Sequence, residues 1–262
     1  MSSSFDPFDD EMWDEHQWED HINEIERKSH QLKKYIESNM DPETPRWIQL
    51  LKESDDVDEA VNSFIEEELA FEETYFPDEE DDDWDDEMDD LDEDLFFNND
   101  FEALDFDDLD DEFDDDFEEG EEWKKLSSDF AMSNEGSIEN LAIYRHAHDY
   151  SVEVLQWVYK LNPKSRSIAH NQFVNQSMQI GAKIAAGYSF GFEIEFLGGN
   201  IAYNKKGLYL ANNALALLQR IKDAPSTNPE IYYYMHGKLF ELRNNIGIYV
   251  QELRSLYDNN PY

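Results

Sequence analysis

Carboxylates are the side chains in this sequence with the greatest capacity for chemistry: 64 Asp and Glu stand against 20 Lys and Arg, a formal net charge of −44. Such density could draw Ca²⁺ or Mg²⁺. A specific site, however, needs oxygens in fixed geometry, and the EF-hand spacing with its central glycine and closing glutamate is absent. Diffuse counterion association is therefore expected, with no bound metal and no cofactor. His146 and His148 are two residues apart, so on a helix they point to different faces and cannot share one metal ion. Arg166 and His170 sit one turn apart and read as a surface pair; a helical nuclease using His170 or His148 is the enzymatic alternative. No Ser-His-Asp order, glycine-rich phosphate loop or His-Glu-x-x-His string occurs. There is no cysteine, which excludes disulfides, thiolate ligands and thiol nucleophiles. The expectation is a protein that is not an enzyme.

The cations offer a second chemistry. Lys160, Lys164 and Arg166 cluster where a first long helix turns into a second, and Lys183, Lys205 and Lys206 follow on the next two helices. These six are candidate nucleic-acid contacts, since each phosphate neutralised adds to a salt-dependent affinity. Any single lysine is also accounted for by an ordinary mixed-charge surface.

The charge is divided sharply along the chain. Residues 1–122 hold 52 acidic and 6 basic residues, whereas residues 123–262 hold 12 acidic and 14 basic. Between 78 and 122, 29 of 45 residues are Asp or Glu and none is Lys or Arg. Self-repulsion there argues for an extended, solvated, intrinsically disordered arm, taken as residues 78–129. The arm is not a plain polyanion. Trp84, Met88, Leu91 and Leu95 step at helical intervals, Phe106, Leu109, Phe113 and Phe117 do likewise, and Phe96, Phe97 and Phe101 lie between. Acidic residues interleaved with aromatic ones mark segments that fold against a basic, apolar-grooved protein partner. Trp84, Met88, Leu91, Leu95, Phe96, Phe97, Phe101, Phe106, Phe113 and Phe117 are accordingly the candidate partner-binding residues.

All the elements around this arm read as helical. In residues 1–77, Trp18, Ile22, Ile25, Leu32 and Ile36 form a stripe, with Ser29 in the missing position, over a helix from about 10 to 39. Pro42 and Pro45 interrupt it. A short helix bearing Trp47, Leu50 and Leu51 follows, then one over about 56–74 carrying Val57, Val61, Phe64, Ile65 and Leu69. These apolar residues are too few for an independent core, so the helices are expected to pack on another body. Residues 130–262 predict four long helices, about 138–161, 166–186, 193–223 and 229–257, capped first by Ser137 and separated by Asn162-Pro163, Gly187 and the 224–229 segment. Short connections and no strand signal predict an all-α, antiparallel up-down four-helix bundle. Ile168, Phe173, Met178, Ile180 and Ile184 would face inward, and Gly181, Ala182, Ala185, Gly198, Gly199 and Gly207 would allow close helix approach. Tyr232, Tyr233 and Tyr234 are consecutive, so at least one must meet solvent or another subunit.

Residues 172–188 carry Gln172, Ile180, Ala182, Ile184, Ala185, Gly187 and Tyr188 at spacings that resemble the second-helix signature of the ribosomal intervening-sequence, or four-helix-bundle, protein family. Leu141 to Ala147 is similar to that family's opening helix. The family includes the accessory variability proteins of diversity-generating retroelements. Over about 138–257 the resemblance implies a ring-forming helical homo-oligomer, pentameric in many members, without catalysis and in some members bound to nucleic acid and a reverse transcriptase. Val174 and Asn175 stand where the family has paired arginines. No basic leader with an apolar run opens the sequence and no span approaches the ~20 apolar residues that cross a bilayer, so a cytoplasmic protein without membrane attachment is expected. The reading that follows is an oligomeric scaffold or accessory protein whose acidic-aromatic arm binds a basic protein surface. The alternative is a nucleic-acid-binding accessory bundle autoinhibited by that arm acting as a polyanion mimic.

Overall fold

The computed structural model describes Trp13 and residues 15–39, 44–73, 137–222 and 224–259. All regular structure among them is helical: α1 (Glu15–Asn39), α2 (Arg46–Glu53), α3 (Val57–Glu73), α4 (Ala142–Lys160), α5 (Ile168–Ser189), α6 (Ile194–Ile221) and α7 (Pro229–Asn259), with single 3₁₀ turns at Ile138–Asn140 and Pro163–Ser165. The acidic arm at 78–129, with all ten of its candidate partner-binding residues, lies outside the described residues.

Local chemistry sets the boundaries. Pro45 precedes α2, Pro163 opens the 3₁₀ turn after α4, and Pro229 is the first residue of α7, where the missing N–H costs nothing. Two sequence expectations change. Ser137 caps only the 3₁₀ turn, accepting from the Glu139 N–H, and an extended Leu141 (φ −75°, ψ 112°) separates that turn from α4. Gly187 does not end α5, which continues to Ser189. A Cβ at position 187 would lie 2.6 Å from Asn204 Nδ2, so this glycine serves close packing on α6. The turn itself uses Gly191, at φ +80°.

Helices α4 to α7 pack consecutively, and α7 also returns to α4. Their core is continuous and includes Val154, Leu155, Val158, Phe173, Met178, Ile180, Ile184, Leu218, Leu239 and Ile246. The same core takes in Trp47 and Leu50 of α2 and Val61, Phe64 and Ile65 of α3, with Ile65 seated over Gly181. Helix α1 packs differently. Its Trp18 and Ile22 form a separate small patch with Ala186, Ala202 and Tyr203, and Trp13, Leu69 and Phe190 border it. Gly198 makes room for this contact, since a Cβ there would meet Trp18 Cδ1 at 2.6 Å. The glycines thus serve the N-terminal helices as well as contacts within α4–α7. Ile168, expected inside, is 77% exposed because it begins α5 at the end of the body; the first inward position is filled by His170, which is fully buried. Tyr232 is buried while Tyr233 and Tyr234 face outward.

Candidate functional site

The structure separates the six candidate cations into two groups. Lys183, Lys205 and Lys206 lie together on one face of α5 and α6, and α1 covers that face. The Lys183 ammonium is 2.6 Å from Glu26 Oε1 and its residue is only 6% exposed. Lys206 donates to the other oxygen of Glu26 and, at 2.7 Å, to Asn23 Oδ1. Lys205 pairs with Glu19 and stands 3.6 Å from Glu15. Arg254 of α7, which the sequence did not single out, completes the set with a two-pronged grip on Glu15 at 2.8 and 2.7 Å.

This contact is an amphipathic helix laid in a groove. Trp18, Ile22 and Ile25 follow at steps of four and three, which puts them on one stripe, and Glu15, Glu19 and Glu26 flank it. The indole of Trp18 meets the Phe190 ring edge-on, with centroids 5.1 Å apart, and Trp13 lies equally close on the other side. Below them, Asn204 donates to the Asn200 carbonyl and side-chain oxygen at 2.9 and 2.8 Å, and Asn200 ties down the Gly191 carbonyl at 2.8 Å. The groove floor is therefore held by buried amide hydrogen bonds. Burial alone would push the Glu26 carboxyl up, but the charges and hydrogen bonds of Lys183 and Lys206 outweigh it and hold the group below its ordinary range. The hydrogen bond from Arg254 does the same for Glu15, against burial and with further help from the charges of Arg254 and Lys205.

The second group lies at the α4–α5 turn. The Arg166 guanidinium donates to the carbonyls of Val158, Tyr159 and Leu161 at 3.1, 2.6 and 3.2 Å, closing the C-terminal end of α4. It also stacks over Trp47 and Tyr159. Lys160 and Lys164 are exposed. Arg166 and His170 do not form the surface pair the spacing suggested, because each closes a helix end. His170 Nδ1 accepts from the Ser167 N–H at 3.2 Å, in the place a capping-box glutamate would take, and burial lowers its pKa. Its Nε2 is 3.4 Å from the Ser226 hydroxyl.

His148 Nε2 lies 2.9 Å from Asn62 Oδ1 of α3, and His146 lies near Asn245 on α7. Among the described residues no three His, Cys, Asp or Glu side chains converge to hold a metal ion. No helix among them is long and apolar enough to cross a membrane.

Sequence reasoning found Lys183, Lys205 and Lys206 but not their partners. A signal was present: of the carboxylates near the Trp18 stripe, Glu15, Glu19 and Glu26 border the apolar face at helical spacing. Arg254 gave no such signal, since its place beside α1 depends on the tertiary fold. Comparison with known protein families, characterised proteins and solved structures gives no match.

Proposed function

We propose that this chain is a non-enzymatic helical scaffold or accessory protein, built on an up-down four-helix bundle of α4–α7, whose acidic-aromatic arm binds a basic surface on another protein. The observation that carries this reading is the prior engagement of the body's own cations. Lys183, Lys205, Lys206 and Arg254 are matched by α1, Lys238 by Glu153 at 2.5 Å, and Arg166 by backbone carbonyls. What remains exposed in the body cannot balance an arm with 29 carboxylates between 78 and 122. Beyond small counterions, a basic partner surface would supply the matching charge, with electrostatics speeding encounter and buried aromatic residues providing affinity. Deleting residues 78–122 should abolish capture of basic proteins from a lysate while circular dichroism shows unchanged helicity. Undiminished capture by the deletion variant rejects the proposal.

Homo-oligomerisation is part of this reading. It is supported by Tyr233, Phe240, Ile248 and Leu256, which stand exposed along the outer side of α7. Light scattering of the full chain measures it, and a monomeric mass removes it.

The alternative, a nucleic-acid-binding accessory bundle under autoinhibition, is favoured by one observation. Three candidate contacts, Lys183, Lys205 and Lys206, share a single face beneath acidic side chains. The covering carboxylates seen here belong to α1, whereas the sequence assigned that role to the arm. Replacing Glu15, Glu19 and Glu26 together by Gln should then produce an RNA or DNA mobility shift at low salt. No shift discards this alternative.

A further inference from the structure

The second half of α6 and the first half of α7 run side by side and present a surface of a different kind. On α7, Tyr233, His236, Phe240 and Arg243 follow at steps of three, four and three, which puts them on one stripe of the helix. Two hydrogen bonds fasten this part of α7 to α6: the Tyr232 hydroxyl donates to Gln219 Oε1 at 2.6 Å, and the Arg243 Nε–H to Asn212 Oδ1 at 3.1 Å. Lys222, just past the end of α6, holds its ammonium 5.3 and 5.9 Å from the centres of the Tyr232 and Tyr233 rings. Tyr233 and Phe240 are 65% and 50% exposed. The His236 ring lies within 8° of parallel to Phe240, with centres 6.3 Å apart. A row of aromatic rings therefore runs along the surface with a cation at each end, Lys222 beside Tyr233 and Arg243 beyond Phe240. Tyr233 and Arg243 are about 15 Å apart along the helix axis, at 1.5 Å per residue.

We propose that this surface binds single-stranded nucleic acid, with bases stacked on Tyr233, His236 and Phe240 and phosphates held by Arg220, Lys222 and Arg243. Charge is the first argument. The chain has 64 carboxylates, yet α6 carries one, Glu195 in its first turn at the opposite end from Lys222, and no residue of the α7 stripe is acidic. Lys183, Lys205, Lys206, Lys238 and Arg254 are each paired with a glutamate. Arg220, Lys222 and Arg243 have no carboxylate partner among the described residues; Arg243 is held by the amides of Asn212 and Asn244 instead. In a protein of net charge −44, three cations kept clear of carboxylates favour an anionic ligand. The rings are the second argument. Exposed aromatic rings in a row suit planar bases, because every base has a π-face, and the flanking cations suit the phosphates that join them. The row accommodates roughly three bases, one to a ring. An acidic peptide matches the charge and not the succession of flat rings, and a duplex, with its bases already stacked on one another, offers only its phosphates. The inference uses neither the arm nor the lysines beneath α1, so it stands apart from both readings of function above. Tyr233 and Phe240 also support the oligomer reading, and the two uses compete for the same rings.

The test is a titration of the full chain against a fluorescently labelled single-stranded oligonucleotide of about ten residues, at physiological salt, where the acidic arm is screened beyond about 8 Å. Affinity, read as fluorescence anisotropy, should fall roughly tenfold for Tyr233→Ala and again for Phe240→Ala, the loss of one stacked base each. Tyr234→Ala is the control. Its ring is 52% exposed but is engaged by Glu153 and Lys238, and its removal should leave affinity unchanged. Lys222→Gln and Arg243→Gln leave the rings in place and should each lower the slope of log affinity against log salt by about 0.7. A duplex of the same length and a polyglutamate peptide should bind at least about tenfold more weakly than the single strand. Light scattering of the free Tyr233→Ala and Phe240→Ala proteins should give the wild-type mass. The proposal is overturned if the strand does not bind, if Tyr234→Ala costs as much as Phe240→Ala, or if the salt slope ignores both cations. It is equally overturned if duplex or polyglutamate binds as tightly as the strand, or if removing the rings lowers the mass, which would make them contacts between copies.

Discussion

Glu26→Gln is the most informative single substitution at the groove. Its carboxylate serves both Lys183 at 2.6 Å and Lys206, whose side chains are 8% and 14% exposed, while Glu26 itself is 32% exposed. Removing one partner of a fully buried ion pair costs about 3–5 kcal/mol, and the partial exposure of Glu26 reduces this to about 2 kcal/mol. Because α1 rests on its own patch, the loss should appear as easier local opening of α1 and not as weakening of the whole body. Amide hydrogen exchange followed by mass spectrometry should show α1 exchanging about 30-fold faster, the equivalent of 2 kcal/mol at 1.4 kcal/mol per factor of ten, with α4–α6 unchanged. Glu24→Gln is the control. Its pair with Lys28 is long, at 3.5 Å, and exposed, and should change exchange by less than about twofold. The pH dependence has a fixed sign. A carboxyl whose folded pKa is depressed gives stability that is complete above its unfolded pKa and is lost as pH falls through the folded value. The wild-type and Gln proteins should therefore differ by a constant amount near neutrality and converge only in acid, below the ordinary carboxylate range, as Glu26 protonates. Equal α1 exchange rates in the two proteins at neutral pH would refute the reasoning.

Other predictions test the supporting structure. Arg166→Ala should lower stability to denaturant by about 2 kcal/mol, because three carbonyls at the end of α4 lose a charged donor, whereas Lys164→Ala should be neutral; equal effects contradict the helix-closing role. Gly187→Ala should destabilise by about 1–3 kcal/mol, since its Cβ would sit 2.6 Å from Asn204 Nδ2 and 3.1 Å from the Asn200 carbonyl oxygen. Gly237→Ala, on an open helix face with nothing within 4 Å, should stabilise by up to about 1 kcal/mol in the same unfolding assay; a reversed order would show the packing assignment to be mistaken.

Much of the fold can be read from the residues because the relevant signals are local. Proline at 45, 163 and 229 marks element starts, and the Trp18–Ile22–Ile25 and Val61–Phe64–Ile65 stripes show which faces are buried. Gly187 misled because a helix-ending glycine and one chosen for close approach look alike in sequence; only the neighbouring Asn200 and Asn204 distinguish them. Arg166 and His170 misled for a related reason. One turn of spacing suggests a pair, yet each found a better partner in backbone groups at a helix end. The lysine face was half legible: Lys183, Lys205 and Lys206 stood out, but a sequence cannot show that residues from 15 to 26 lie over residues from 183 to 206.

The arm's role is tested most directly by holding its charge constant and removing only its apolar side chains. In the full chain, Trp84, Phe96, Phe97, Phe101, Phe106, Phe113 and Phe117 are replaced together by Ala, and affinity for a basic protein captured by the wild type is measured by calorimetry at physiological salt. If aromatic burial supplies the affinity, binding should fall by at least about a hundredfold, in keeping with the loss of several interface anchors. An unchanged affinity would show the arm to be a simple polyelectrolyte and would contradict the proposed function.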